Sequence, residues 1–225
     1  MEISIFDVIG PVMIGPSSSH TAGAARLGRA ARLIVKEPIV HVSFGLHGSF
    51  AQTYKGHGTD RALLAGVMGL SEQDERLSDA FSLAEKIGLT WEFYPIELEN
   101  VHENTVKITM VKRDGTSTVV IGSSVGGGQI RICGIDDFEM EMSLTAPTLI
   151  FSHYDHAGVI SSITGIIAEH GINIATMKLS RKRRGDIAFC VMEADGEIPE
   201  SVVAAIENCR DVISVKRINL DEEIV

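Results

Sequence analysis

Cysteine is scarce in this chain of 225 residues. It occurs only at Cys133, Cys190 and Cys209, an odd number of widely separated positions. This distribution argues against the disulfide framework of a secreted protein and favours a reducing, cytoplasmic location. The three positions also lack the close spacing of zinc and iron–sulfur sites, so we expect any metal centre to be held largely by another chain.

Basic residues and long apolar runs are also few. The 20 Lys and Arg residues oppose 30 Asp and Glu residues, and the resulting net charge of −10 argues against a duplex nucleic acid partner. The acidic stretch from Met1 to Asp7 lacks the apolar core of a secretion signal, and no uncharged apolar run is long enough to span a membrane. We therefore expect neither nucleic acid nor membrane as a partner.

The stretch from Gly15 to Gly23 reads GPSSSHTAG and precedes an alanine-rich segment with helical spacing over residues 22–36. Serine is unfavourable inside helices and favoured at their starts, so we predict a helix N-terminus here. Unpaired N–H groups and the positive end of the helix dipole favour an anion at such a position. His20 could exchange protons with the molecule bound there. The alternative interpretation is a helix cap and nothing more.

A second histidine, His57, lies between two glycines in the sequence KGHGTD. Glycine on both sides lets a ligand approach the imidazole closely. We predict glycine-rich loops at residues 46–49 and around His57, and we predict that Thr59 or Asp60 caps a helix over residues 59–69. A third histidine, His102, lies at the entrance to a predicted strand, where an ordinary surface loop is the alternative.

The pattern along the first part of the chain is mixed. Apolar residues at helical spacing, including Ile87, predict a helix over 73–88, and Gly126 to Gly128 is interpreted as a bulge or bend. Acidic residues followed by Pro147 predict a linker over 135–147, after a first domain over 1–134. Predicted strands cover residues 39–45, 89–98, 104–112, 116–124 and 129–134.

The remaining residues, 148–225, form a second predicted domain. The expected order is strand 148–153, helix 158–170, strand 172–181, strand 186–194, helix 199–209 and strand 212–219. This βαββαβ order is the ferredoxin-like split unit, and the basic run from Arg181 to Arg184 is predicted to be a solvated hairpin turn. The fold class of the whole chain is therefore α+β.

The second domain resembles an ACT domain, a small regulatory module. The likeness rests on the turns DHAGV at 155–159 and HGINI at 170–174. It implies that copies of the chain associate through this domain. It also implies an effector site, formed by Asp155, His156, Ala157, Gly158 and Val159. A module used only for dimerisation is the alternative, because fold does not fix function.

The first domain resembles the β chain of the bacterial iron–sulfur-dependent L-serine dehydratase, or L-serine ammonia-lyase. The motifs are IGPVMIGPSSSHTAG at 9–23 and GHGTD at 56–60. The resemblance implies an α subunit as partner, whose cysteines hold a [4Fe–4S] cluster, with no metal ligand in this chain. L-serine would bind to this cluster and lose its Cα proton to a base, and elimination would yield pyruvate and ammonia.

Family site residues carry over to this chain by motif. His57 is expected to abstract the proton, with His20, Thr59 and His102 supporting binding, orientation or proton transfer. From the chemistry of the helix start, the serine run of Ser17, Ser18 and Ser19 with Thr21 is expected to hold the substrate carboxylate or to shape its pocket. At His102 the chain has Glu103 where the family pattern has proline. Three hypotheses stay open: a catalytic β subunit, a non-catalytic subunit that senses amino acids, and a module that only assembles the α subunit.

Overall fold

The structure is a computed structural model that describes residues 14–220. Contacts within the chain group the described residues into two compact units, 14–136 and 137–220. The strand or turn predicted over residues 2–10 lies outside the described residues. The α+β fold class with a C-terminal βαββαβ unit is confirmed.

The first unit begins with a short π-helical turn at Ser18–Ala22 that runs directly into the first helix. Strands β1 and β2 are parallel, whereas the pairs β1/β3, β3/β4 and β4/β5 are antiparallel, in the spatial order β2-β1-β3-β4-β5. The elements are α1 (Gly23–Val35), β1 (Ile39–Leu46), α2 (Gly48–His57), α3 (Thr59–Val67), a 3₁₀ turn (Glu75–Asp79), α4 (Ala80–Ile87), β2 (Thr90–Pro95), β3 (Thr105–Lys112), β4 (Ser117–Gly126) and β5 (Gln129–Ile135).

Helices α1 and α3 pack with their backbones in close contact. Alanines and leucines cover the buried side of α1, as the sequence predicts, and Leu27 is fully buried. A Cβ atom added at Gly28 would lie 2.3 Å from the carbonyl oxygen of Leu63, and one added at Gly66 would lie 2.1 Å from the carbonyl oxygen of Ala25. Only glycine allows the two helices to approach this closely.

The loop predicted around His57 is wrong, because helix α2 continues to His57 itself. The loop predicted at 46–49 is wrong from Gly48 onward, where α2 begins. Phe50, which is fully buried, and the half-buried Tyr54 lie one helical turn apart and give this short helix an apolar face. The neighbouring glycines hide that pattern. The predicted cap of α3 is also wrong, since Gly58 in the left-handed conformation precedes the helix and no side chain caps it. In α4, Ile87 is 68% exposed and does not join the predicted buried stripe.

The strand predictions in this unit agree closely with the structure. At the end of β4 the register shifts between Ser124 and Gly126, which is the predicted bulge. Gly127 and Gly128 then connect β4 to β5 with positive φ angles, as a two-residue hairpin turn requires.

The stretch predicted as a linker contains strand β6 (Phe138–Met142). Its glutamates face solvent, while Met140 and Met142 are buried. This alternation is the signature of a strand with one buried face. The acidic composition of the stretch conceals it.

The second unit has the sheet order β10-β7-β9-β8, and all of its strand pairs are antiparallel. Its two helices cover one face of this sheet, and a single apolar cluster that includes Phe151, Ile163 and Cys190 forms the core. The basic run forms the predicted hairpin turn between β8 and β9. The elements are β7 (Thr148–Tyr154), α5 (Val159–Glu169), β8 (Ile174–Arg181), β9 (Ile187–Ala194), α6 (Glu200–Glu207) and β10 (Val212–Ile218).

Candidate active site

The structure brings His20 and His57 together. His20 lies in the π-helical turn before α1, and His57 is the last residue of α2. Their ring centroids are 4.8 Å apart, and the edge of the His20 ring also meets the buried ring of Phe50 at 5.3 Å. Two segments separated by a helix and a strand therefore place their imidazoles in contact.

Hydrogen bonds explain why this arrangement forms. The Ser17 hydroxyl accepts a hydrogen bond of 3.1 Å from the backbone N–H of His20, as the predicted cap requires. The Thr21 hydroxyl donates a hydrogen bond of 3.0 Å to the carbonyl oxygen of His57. This bond ties the serine-rich turn to the end of α2. Ser18 and Ser19 lie half-buried in the same turn.

Ser49 is a site residue that the sequence analysis misses. Its hydroxyl shares a hydrogen bond of 3.0 Å with Nε2 of His20, and its carbonyl oxygen accepts a hydrogen bond from the Thr53 hydroxyl. Ser49 lies in the first turn of α2, so recognising that helix in the sequence is the signal that would have identified it.

His102 does not join the two other rings in the described residues. It is exposed, and its Nδ1 accepts a hydrogen bond of 3.1 Å from the backbone N–H of Asn104. The loop itself reaches the start of α2, because the Ser49 N–H donates a hydrogen bond of 3.0 Å to the carbonyl oxygen of Glu103. The His102 loop therefore borders the His20–His57 pair through its backbone.

Burial controls the protonation of His20. It lowers the pKa of His20 below its ordinary value of 6.5, and the positive charge of a protonated His57 lowers that pKa further. His20 is therefore neutral at neutral pH. A positive charge on His57 would therefore oppose protonation of His20.

Several buried polar atoms of the first unit have no hydrogen-bond partner within residues 14–220. They include Nδ1 of His57 and the hydroxyl of Thr59, a fully buried residue at the first position of α3. The Ser124 hydroxyl is another, and it lies so close to Gly23 that a Cβ atom there would be 2.0 Å away. An unsatisfied buried polar group costs about 1–3 kcal/mol. Of these three residues, His57 is the one that lines a cavity.

A cavity of about 300 Å³ adjoins His57 and Thr21. A larger cavity of about 630 Å³ in the same unit is lined by His47 and by residues 95–99, and it contains none of the predicted site residues. By volume alone, the larger cavity would be the better candidate for a ligand site. The chemistry favours the smaller one, because an imidazole with a buried, unpartnered nitrogen lines it.

The described residues do not fit as ligands of an iron–sulfur cluster. Within 14–220, no group of three or more His, Cys, Asp or Glu side chains is arranged to hold a metal ion. Cys190 is fully buried in the core of the second unit, where burial raises the pKa of its thiol to about 12.

The predicted effector residues form the turn between β7 and α5. The Asp155 carboxylate accepts hydrogen bonds from the Gly185 N–H and the Arg181 guanidinium, which together hold its pKa below the ordinary value of 3.8. His156 lies 3.0 Å from the carboxylate of Asp211. Ala157 and Gly158 are exposed, and Gly158 has the left-handed conformation that starts α5 at Val159. Asp155 and His156 therefore stabilise the turn itself.

Fold and site together define a class of protein. A histidine-bearing α+β unit is followed by a unit that matches the ACT domain model over residues 148–211, and residues 4–89 match the model of the serine dehydratase beta chain. Among the described helices, none has the length and apolar character needed to cross a membrane.

Two relatives identify the family. The chain is 40% identical to the probable L-serine dehydratase beta chain of Bacillus subtilis, covering 96% of this chain and 97% of that one. It is 39% identical to the L-serine dehydratase beta chain of Peptoniphilus asaccharolyticus, covering 91% and 93%. The chain belongs to the L-serine dehydratase beta-chain family, as the resemblance predicts.

A third relative has a different name. The chain is 27% identical to the D-3-phosphoglycerate dehydrogenase of Bacillus subtilis, and the match covers 88% of this chain but only 37% of that enzyme. Sequences like both units therefore occur as part of a longer chain.

Proposed function

We propose that this chain is the β subunit of an L-serine dehydratase and that it contributes catalytic residues to the deamination of L-serine to pyruvate and ammonia. The observation that carries this proposal is the contact between His20 and His57 beside a cavity. Its relatives are named beta chains of L-serine dehydratase, which supports an α subunit as partner. We expect the α subunit to hold the [4Fe–4S] cluster, which would act as a Lewis acid on the hydroxyl of serine.

In this proposal His57 takes the proton from Cα of serine. Imidazole is suited to this step because it changes protonation near neutral pH. The neutral neighbour His20 adds no positive charge that would oppose proton uptake by His57. Loss of the Cα proton and of the β-hydroxyl group gives aminoacrylate, which tautomerises and reacts with water to give pyruvate and ammonia.

The remaining predicted site residues orient the substrate. Thr59 contributes a buried hydroxyl that has no partner in the described chain, and His102 approaches from the neighbouring loop. The Ser17 and Thr21 hydroxyls already form internal hydrogen bonds and fix the turn, so Ser18 and Ser19 are the members of the serine stretch that we expect to contact the substrate.

Reconstitution of both subunits tests the proposal. The purified β chain alone should not deaminate serine, whereas addition of the α subunit, reconstituted anaerobically with iron and sulfide, should produce pyruvate in the cytoplasmic pH range. His57→Ala should lower turnover by about 10²–10⁴-fold, the usual contribution of a general base, while the two subunits still copurify. His170→Ala, in the second unit, is the control and should keep wild-type turnover. Normal turnover by His57→Ala would contradict the catalytic proposal.

A second candidate is a regulatory subunit without catalytic residues. The match to part of a D-3-phosphoglycerate dehydrogenase favours it, because related units occur in an enzyme with a different name. Asp155, His156, Ala157, Gly158 and Val159 would then contact an effector. Under this alternative, and under a purely assembling role, His57→Ala would leave turnover unchanged.

Association between copies of the chain is part of either proposal. The two edge strands of the second unit, β8 and β10, expose the apolar residues Leu179 and Ile213, which are 44% and 45% exposed. Edge strands with exposed apolar side chains favour pairing with another chain. Analytical ultracentrifugation of the β chain tests this, and a monomer at all concentrations would contradict it.

A further inference from the structure

The cavity beside His57 has a positively charged wall. It lies between the stretch 14–16, the junction of α2 with α3, and the 3₁₀ turn that contains Leu77. Its volume of about 300 Å³ is at the lower end of the range for small-molecule sites, which suits a ligand of a few heavy atoms. Lys55 in the last turn of α2 and Arg61 in the first turn of α3 both line it.

Neither cation forms an ion pair within the described part of the chain. The Lys55 ammonium lies 5.7 Å from the ring centroid of Tyr54, and the Arg61 guanidinium lies 6.0 Å from that of Phe81. Aromatic contacts position these groups without neutralising their charge. Asp60 is the acidic group nearest in sequence, and its carboxylate accepts a hydrogen bond from the backbone N–H of Arg61. One carboxylate beside two cations leaves a positive wall in a chain whose net charge is −10.

We propose that Lys55 and Arg61 bind the carboxylate of a small α-amino or α-hydroxy acid in this cavity. The proposal rests on the proposed function and assigns the carboxylate of its substrate to these two cations. In an α-amino acid the carboxylate is attached directly to Cα. A carboxylate bound on this wall therefore brings the Cα–H bond into the same cavity that His57 lines.

This placement differs from the sequence prediction that the serine stretch holds the substrate carboxylate. Ser18 and Ser19 do not line this cavity, whereas Lys55 and Arg61 do. Because Lys55 and Arg61 are both cationic, binding in this cavity should require a ligand that carries a carboxylate. Ethanolamine, which is serine without its carboxylate, should then neither react nor inhibit, whereas glycolate should inhibit in competition with L-serine.

Kinetics of the reconstituted αβ enzyme test the assignment. Lys55→Met and Arg61→Met should each raise the KM for L-serine and the inhibition constant of glycolate by about tenfold or more, because each removes a charge-assisted hydrogen bond, while kcat changes less. Arg61→Lys keeps the charge and should lose less affinity than Arg61→Met. Lys86→Met and Arg113→Met are matched controls, since they remove the same charges from exposed positions outside the cavity.

A binding experiment separates failure of this inference from failure of the proposed function. Addition of glycolate to the full β chain should shift the NMR resonance of the His57 ring, and Lys55→Met with Arg61→Met should abolish the shift. If the shift behaves in this way but His57→Ala retains full turnover, the carboxylate site stands and the catalytic role of His57 fails. The carboxylate site would be overturned if Lys55→Met and Arg61→Met had the same KM values, inhibition constants and NMR shifts as the control variants Lys86→Met and Arg113→Met.

Discussion

The contact between α1 and α3 gives a prediction with a calculable size. A Cβ atom at Gly28 would lie 2.3 Å from the Leu63 carbonyl oxygen, against ordinary contacts of 3.4–4 Å. Because that oxygen belongs to helical backbone, it cannot rotate away, and the helices must separate by roughly 1 Å. Overpacking of this kind costs about 1–3 kcal/mol, and occasionally more.

Alanine also stabilises a helix by about 1 kcal/mol relative to glycine, which offsets part of the cost of overpacking. The net expectation for Gly28→Ala is therefore a loss of up to about 2 kcal/mol in the free energy of unfolding. Gly66→Ala should behave similarly, because its Cβ would lie 2.1 Å from the Ala25 carbonyl oxygen. The two sites share one contact, so their effects should not be additive.

Urea denaturation provides the measurement. Trp91, the single tryptophan of the chain, lies in β2, so its fluorescence reports on the first unit. Gly165→Ala in α5 is the matched control, because no atom lies within 4 Å of the added Cβ. Circular dichroism should show that this control stabilises the second unit by about 0.5–1 kcal/mol. The reasoning would be refuted if Gly28→Ala stabilised the first unit as Gly165→Ala stabilises the second.

Two further predictions concern His20 and its partner. Burial lowers the pKa of His20 below 6.5, so the unfolded chain binds this proton more readily, and stability should fall as the pH drops below 6.5 towards the pKa of folded His20. In urea titrations at several pH values, the free energy of unfolding of His20→Gln should not show this fall. A free energy of unfolding that still falls with pH as in the wild type would contradict the prediction. Ser49→Ala removes a hydrogen bond worth about 1 kcal/mol and should lower kcat of the αβ enzyme roughly fivefold, whereas Ser49→Thr, which keeps a hydroxyl, should retain more activity. Equal loss in both variants would argue against a role for that hydroxyl.

Much of the fold could be predicted from the sequence because local patterns and tertiary packing agree there. The buried stripe of α1, the glycine-rich bulge at the end of β4 and the βαββαβ order of the second unit each match one kind of structure. Short elements with competing signals were missed. Helix α2 has glycines at both ends that favour a loop, and β6 carries acidic residues that are typical of a linker.

The site could be predicted only in part. The GPSSSHTAG and KGHGTD motifs point to His20 and His57, but their contact depends on the packing of three helices, which no local spacing encodes. Ser49 was missed together with the helix that carries it. Lys55 is the first residue of the KGHGTD motif, yet its position on a cavity wall becomes evident only when Gly58 turns the chain from α2 into α3.

The bond from the Thr21 hydroxyl to the carbonyl oxygen of His57 has a mechanical consequence. A shift of the serine-rich turn would also displace the backbone at the end of α2, because this bond joins the two segments. Under the proposed role of His57, docking of another subunit against that turn would move the base without touching it, and turnover would then depend on assembly.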